Sequence, residues 1–237
     1  MLSLENLFPL FKDSQLNSNG CLIKGLTSLS QQPNLLPIQI ELEKSPIHGH
    51  GVFATTDIKE GEIVTFYPSH GFYMNTVNGY KPYVNDNEKD FKTSLKYYIE
   101  KYCFHAECTK FGQYGVIGNP KSTKNPFFLG HMVNDGVGNI FADLEYKKLT
   151  LSDFKNAIIR YVLSAATKTN CKILSHPDYP LVYVQTTKPI PSGTELLTAY
   201  APMFWYCASY NKTEEEFSGI FGKVCDENML RLIDQIY

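Results

Sequence analysis

The stretch Gly193-Thr194-Glu195-Leu196-Leu197-Thr198-Ala199-Tyr200 lies near the carboxyl end of the sequence and decides how the rest is interpreted. Before it, the run Leu181 to Thr187 is rich in the β-branched and aromatic residues that strands favour. The turn residues Pro191-Ser192-Gly193 separate the two segments. We therefore predict a strand, a tight turn and a short apolar segment that ends at Tyr200, the main candidate for a functional residue.

Further short strands are indicated toward the amino terminus. Ile38, Ile40 and Leu42 alternate with polar residues, as one face of a strand does. Four more candidates have strand-like composition and are bounded by turn residues: Val52 to Ala54, Ile63 to Tyr67, Tyr102 to Phe104, and Tyr114 to Ile117. The body of the chain is therefore predicted to be mainly β, built from short strands.

Other segments have helical spacing. In Thr150 to Thr167 apolar residues mark one face, and Thr150 or Ser152 is the candidate cap. Glu214 to Glu216 are suited to the start of a helix near the carboxyl end, and a short helix is predicted near the amino terminus before a linker at Ser28 to Pro37. We divide the chain into a partly helical extension (1–36), a main domain (37–206) with a helical insertion at about 143–168, and a helical extension (207–237).

Composition limits the classes of function. The chain has 237 residues, a formal charge of −2 and only two arginines, Arg160 and Arg231, so direct nucleic-acid binding is not expected. It shows neither a secretory signal layout at the amino terminus nor the about 20 consecutive apolar residues that span a bilayer. We expect an intracellular protein of the nucleus or cytoplasm that binds no membrane. The six cysteines lack paired spacing, so we predict reduced thiols and no metal site.

Four motifs occur in a fixed order along the chain. They are Gly49-His50-Gly51-Val52-Phe53-Ala54, Tyr102-Cys103-Phe104, Gly130-His131-Met132-Val133-Asn134-Asp135, and the stretch ending at Tyr200. Each is weak alone, because glycine pairs, for example, occur in many turns. Together, over about residues 38–206, they resemble the SET-domain family of protein lysine methyltransferases. The resemblance implies a fold of short strands in several small sheets and transfer of a methyl group from S-adenosylmethionine to a lysine-bearing protein or peptide, with histone tails as the first candidate.

The resemblance also implies roles for individual residues. Tyr200 matches the catalytic tyrosine, and Tyr102 matches a tyrosine that lines the channel through which the substrate lysine enters. Aromatic walls and hydroxyl groups suit this chemistry, since they favour a cationic centre and orient an amine. The residues implied to contact S-adenosylmethionine are Gly49, His50, Gly51, Asn134, Asp135, Asn170 and Trp205.

The sequence departs from the family pattern in three places. Asp135 stands where a histidine usually follows the asparagine. The family's second asparagine fits Asn170 better than Asn139, which makes Thr150 to Thr167 an insertion within the motif. No cysteine triplet follows Tyr200 to build a zinc site. These departures leave an alternative hypothesis open, a catalytically inactive SET-like module that binds a protein partner.

Overall fold

The computed structural model describes residues 39–76, 79–84, 91, 94–109, 112–179 and 181–234. The predicted amino-terminal helix, the predicted linker from Ser28 to Pro37 and the first residue of the predicted first strand, Ile38, lie outside the described residues. The rest of the predicted main domain and most of the carboxyl-terminal extension can be compared with the structure.

The main domain consists of eleven described strands in four small sheets. An antiparallel pair joins β1 (Ile40–Lys44) to β2 (His50–Ala54). A three-stranded antiparallel sheet has the order β3 (Ile63–Phe66), β10 (Val182–Thr186), β9 (Cys171–Ser175). A four-stranded antiparallel sheet has the order β5 (Gly79–Val84), β4 (Gly71–Thr76), β7 (Gly112–Ile117), β6 (Cys103–Cys108). A parallel pair joins β8 (Asn134–Asp135) to β11 (Leu197–Thr198). The predicted fold class, mainly β with helical additions, is confirmed.

One helix precedes β6, and the others occupy the predicted insertion and the carboxyl end. They are α1 (Leu95–Tyr102), α2 (Leu151–Lys168), α3 (Pro202–Tyr210), α4 (Glu214–Val224) and α5 (Glu227–Asp234). Helix α2 confirms the predicted helix within one residue at each end. The prediction of a strand over Tyr102 to Phe104 was wrong at its first residue, because Tyr102 ends α1 and β6 begins at Cys103.

The helices build an aromatic core of their own. Helix α2 buries Phe154, Tyr161 and other residues of the predicted apolar face, while Leu151 at its first turn stays 51% exposed. Tyr206 of α3 and Phe217 of α4 pack against this face. The insertion and the carboxyl-terminal helices therefore share one hydrophobic core beside the sheets.

The segment 194–198 runs through the centre of the sheets. On one side β11 pairs with β8, and the Leu196 amide donates to the Val52 carbonyl of β2 at 2.7 Å. On the other side Asn170 clamps it, because its side chain accepts from the Leu197 amide at 2.7 Å and donates to the Glu195 carbonyl at 2.9 Å. The residues before Tyr200 are thus fixed by three separate parts of the chain.

Two types of feature are absent from the described ranges. None of their helices has the length and apolar character needed to cross a membrane. Within the same ranges no group of three His, Cys, Asp or Glu side chains is arranged to hold a metal ion.

The start of α2 is stabilised by a capping box, and we expect its loss to be measurable. The Thr150 hydroxyl accepts from the Asp153 amide at 3.1 Å, and the Asp153 carboxylate accepts from the Thr150 amide at 3.2 Å. Thr150→Ala should lower the free energy of unfolding by about 1 kcal/mol, because helix amides lose their cap. Thr150→Ser keeps the hydroxyl and is the control. Equal stability of both variants in urea titrations would contradict the assignment.

Candidate active site

A cavity of about 760 Å³ lies where the β1–β2 turn, the junction of α1 with β6, the segment before β8 and the start of α3 meet. Most of the predicted site residues line it: Gly49, His50, Tyr102, Asn134, Asp135, Tyr200 and Trp205. Gly51 and Asn170 are not among its lining residues. The tertiary structure therefore gathers residues from four distant parts of the chain around one volume.

The two predicted glycines differ in their surroundings. Gly49 has φ +53°, and a Cβ placed there would meet nothing within 4 Å, so it is needed for its backbone conformation. A Cβ at Gly51 would lie 1.9 Å from Glu195 Oε1 and 3.0 Å from Asn134 Nδ2. Gly51 therefore makes room for a polar cluster behind the cavity wall.

That polar cluster is centred on Glu195, which is 7% exposed. Its Oε1 accepts from Asn134 Nδ2 at 2.8 Å, and its Oε2 accepts from the Ser45 hydroxyl at 3.0 Å. Asn134 Nδ2 also lies 3.1 Å from the His50 carbonyl oxygen, to which it donates. Glu195 thus orients Asn134 and ties it to the turn that carries Gly49 and His50. Sequence reasoning gave Glu195 and Ser45 no role, although Glu195 lies inside the quoted motif.

Asp135 is 3% exposed, and both of its oxygens are fully used. The side chain accepts hydrogen bonds at 2.5 to 3.2 Å from five donors, namely the amides of Val137, Gly138 and Tyr200, the Tyr161 hydroxyl and Trp205 Nε1. Tyr161 belongs to α2, so the inserted helix reaches the site through this residue. An aspartate in place of the family's histidine therefore builds a complete hydrogen-bonding centre.

Three tyrosines, Tyr67, Tyr102 and Tyr200, line one part of the cavity. The Tyr200 hydroxyl donates to the Val133 carbonyl at 2.8 Å, and the Tyr67 hydroxyl donates to the Tyr102 carbonyl at 2.8 Å. Burial, and then the neighbouring charge of Asp135, raises the pKa of Tyr200. Burial also raises the pKa of Tyr67 and of Tyr102, so all three hydroxyls are protonated at neutral pH. Tyr67 was missed from the sequence, since nothing in its strand pattern distinguishes it.

Aromatic rings form another part of the wall. The rings of Tyr200 and Trp205 are stacked with centroids 6.1 Å apart, and Phe204 meets both edge-on at 5.0 Å. The Trp205 Nε1 hydrogen bond to Asp135 fixes the orientation of the indole ring. Trp205, which the resemblance implied as a cofactor contact, therefore lies beside Tyr200 in the cavity wall.

The two candidates for the second asparagine are separated by the structure. Asn139 lines the cavity, with its Oδ1 accepting from the Phe141 amide and the Ser209 hydroxyl, both at 3.0 Å. Asn170 instead clamps β11 from behind. Asn170 therefore fixes the strand before Tyr200, whereas Asn139 faces the cavity.

Comparison with known proteins identifies the family. The family model for the SET domain matches residues 49–201. The chain belongs to the SET-domain family. No curated protein matches it in sequence.

Solved structures similar to this SET domain include two proteins with distant sequences. One is the methyltransferase domain of human PR domain-containing protein 2, 18% identical, with 68% of this chain and 76% of that chain covered and a TM-score of 0.36. The other is a candidate histone methyltransferase of Plasmodium falciparum, 14% identical, with 72% of this chain and 99% of that chain covered and a TM-score of 0.34.

His131 is a further buried residue in the cavity wall of the SET domain, 5% exposed. Its Nε2 lies 3.0 Å from the Asn119 carbonyl oxygen, which makes Nε2 the protonated nitrogen, and its Nδ1 has no partner within the described part of the chain. Burial, and then the nearby His70, lowers the pKa of His131 to about 3. The imidazole is therefore neutral at physiological pH.

Replacement of Asp135 tests its role as a hydrogen-bonding centre in the SET domain. Asp135→Asn keeps the shape but turns an N–H₂ group toward two or three donors, so at least two hydrogen bonds are lost. We expect the free energy of unfolding to fall by about 3 kcal/mol. Asp143→Asn, at an exposed carboxylate eight residues later in the chain, is the control, and its free energy of unfolding should change little. A fall of less than about 0.5 kcal/mol for Asp135→Asn in denaturant titrations would contradict this role.

The buried imidazole of His131 predicts a pH dependence of stability. Its folded pKa lies below the unfolded value of about 6.5, so the unfolded chain binds the extra proton and stability falls as the pH drops below about 6.5. Between pH 7 and pH 5 the wild type should lose about 2 kcal/mol more than His131→Gln. Urea titrations at the two pH values measure this difference, and parallel losses in both proteins would disprove it.

Proposed function

We propose that the protein transfers a methyl group from S-adenosylmethionine to a lysine side chain of a protein substrate, with histone tails as the first substrate to test. The observation that carries the proposal is the joining of Tyr67, Tyr102 and Tyr200 with the Gly49 turn and Asn134 around one cavity of the SET domain. Such a site offers a polar part for a cofactor and an aromatic part for an amine.

The residues present fit this cofactor. The cavity has a volume of about 760 Å³, within the usual range for small-molecule sites. Gly49 leaves open space above its backbone, and the Asn134 side chain is held rigidly at the wall by Glu195. Gly49, His50 and Asn134 would hold its polar methionine portion, and Phe204 and Trp205 would contact its adenine ring. When bound, S-adenosylmethionine supplies the methyl group and a sulfonium charge.

The hydroxyl groups of Tyr67 and Tyr200 are oriented to accept hydrogen bonds from a ligand in the cavity. The hydrogens of Tyr67 and Tyr200 are already donated to backbone carbonyls. Their oxygen lone pairs therefore remain to accept from the N–H groups of an entering lysine. A hydroxyl fixed in this way orients the amine rather than removing its proton, which agrees with the raised pKa of both tyrosines.

The proton of the substrate lysine needs another route. Asp135 is the acidic side chain among the residues that line the cavity, and its oxygens already accept five hydrogen bonds. Desolvation in the aromatic part lowers the pKa of the lysine amine, which favours release of the proton to water. We therefore assign no side chain as general base.

Tyr200→Phe tests the catalytic assignment. The ring keeps its packing on Phe204 and Trp205, while the oxygen that orients the amine is lost. We expect the rate of methyl transfer from labelled S-adenosylmethionine to histones or whole-cell extract to fall at least about 100-fold. Tyr183→Phe, a tyrosine of β10 outside the cavity lining, is the matched control. Full transfer by folded Tyr200→Phe would disprove the assignment.

Cofactor binding separates this proposal from the inactive-module hypothesis, which rests on Asp135, on the displaced second asparagine and on the missing cysteine triplet. Titration calorimetry with S-adenosylmethionine should give binding that Tyr200→Phe retains, and saturating cofactor should raise the melting temperature. Absence of binding to the wild-type protein would favour the module that only holds a protein partner. Mass spectrometry of extract labelled by the active protein would identify the lysine that is modified.

A further inference from the structure

Tyr161 makes two hydrogen bonds that connect the inserted helix to the site. It is fully buried in α2, and its hydroxyl donates to Asp135 Oδ2 at 2.5 Å. The same hydroxyl oxygen accepts from the Ala201 amide at 3.1 Å. Asp135 Oδ2 in turn accepts from the Tyr200 amide at 3.0 Å. One hydroxyl group therefore contacts the residue after Tyr200 directly and Tyr200 itself through a shared carboxylate oxygen.

The backbone at Ala201 needs such support. Its φ of 82° and ψ of 150° lie in a region that side-chain-bearing residues rarely adopt and that is almost restricted to glycine. The following Pro202 starts α3 and fixes the direction in which the chain continues. A strained conformation persists only where surrounding contacts hold it. The Ala201 amide donates to the Tyr161 hydroxyl, which therefore stabilises the turn that directs Tyr200 into the cavity.

We propose that Tyr161 is a positioning residue for Tyr200, and that the inserted helix α2 thereby sets the geometry of the active site from outside the cavity. The catalytic interpretation rests on the proposed methyl transfer. The positioning itself rests only on the contacts of Tyr161, Asp135 and Ala201. Helix α2 has a second anchor in the aromatic core with α3 and α4, so its register is fixed independently of the site.

Trp205 provides a readout that does not depend on activity. It is the single tryptophan of the chain, and its Nε1 donates to the same Asp135 Oδ2 at 2.7 Å. Intrinsic fluorescence therefore reports on the carboxylate that Tyr161 contacts. Because Trp205 also packs against the helical core, the control variant has to lie in that core but away from Asp135.

Tyr161→Phe is the test variant and Tyr210→Phe is its control. Tyr210 lies in the same helical core, and its hydroxyl donates to the Leu144 carbonyl at 2.8 Å and not to Asp135. We expect Tyr161→Phe to lower the rate of methyl transfer at saturating substrates at least about 10-fold. The dissociation constant of S-adenosylmethionine should change less than about 3-fold, because the Gly49 and Asn134 part of the cavity is untouched and Asp135 still accepts from Trp205 Nε1, which holds the indole ring at the wall.

The fluorescence of Trp205 should shift in Tyr161→Phe and stay unchanged in Tyr210→Phe. If Tyr161→Phe proves too unstable, the double variant Tyr161→Phe/Ala201→Gly carries the test, because glycine adopts the Ala201 conformation without strain. The double variant should have a higher melting temperature than Tyr161→Phe. Its Trp205 emission should remain shifted, because the hydrogen bond from the residue 161 side chain to Asp135 is still absent.

The outcomes are distinguishable. Equal transfer rates and equal emission in Tyr161→Phe and Tyr210→Phe would overturn the positioning role. If the wild-type protein transfers no methyl group at all, the proposed function fails and the emission alone decides this inference. Unchanged Trp205 emission in Tyr161→Phe would then overturn it, and a shift would uphold the link between α2 and the site.

Discussion

The buried carboxylate of Asp135 joins parts of the chain that are far apart in sequence. It accepts five hydrogen bonds and forms no salt bridge with a lysine or arginine of the described residues. Leaving acceptors of a buried carboxylate unmet would be costly, so Tyr161, the Tyr200 amide and Trp205 must be in place together. The inserted helix and the cavity wall are therefore ordered as one unit.

A second constraint acts on the segment before Tyr200. Glu195 occupies space that only a glycine at position 51 leaves free, and it holds Asn134 against the β1–β2 turn. Asn170 grips the same segment from behind. These contacts on both sides hold the backbone that leads to Tyr200 in place. For the proposed methyl transfer this matters, because the geometry of such a reaction tolerates little displacement.

The hydrogen bonds that the tyrosine hydroxyls already make determine what the cavity can offer a ligand. Tyr67 and Tyr200 donate to backbone carbonyls, so each presents an acceptor rather than a donor to the cavity. Burial keeps both protonated. Among the described residues the cavity has oriented acceptors and aromatic walls, and its acidic side chain, Asp135, already accepts five hydrogen bonds. These features agree with the proposed positioning of an amine better than with abstraction of its proton.

The sequence by itself determined the helix predicted at Thr150 to Thr167, because helical spacing is a local property, and the order of its motifs gave the resemblance to the SET-domain fold. Seven of the nine site residues predicted in this way line the cavity. It could not show that Tyr102 ends a helix, that Tyr67 joins the tyrosines, or that Glu195 orients Asn134. Those features depend on contacts between residues tens of positions apart. Only the tertiary structure brought α2 to the candidate site, since the Tyr161 to Asp135 hydrogen bond forms only when the segments that carry them pack together.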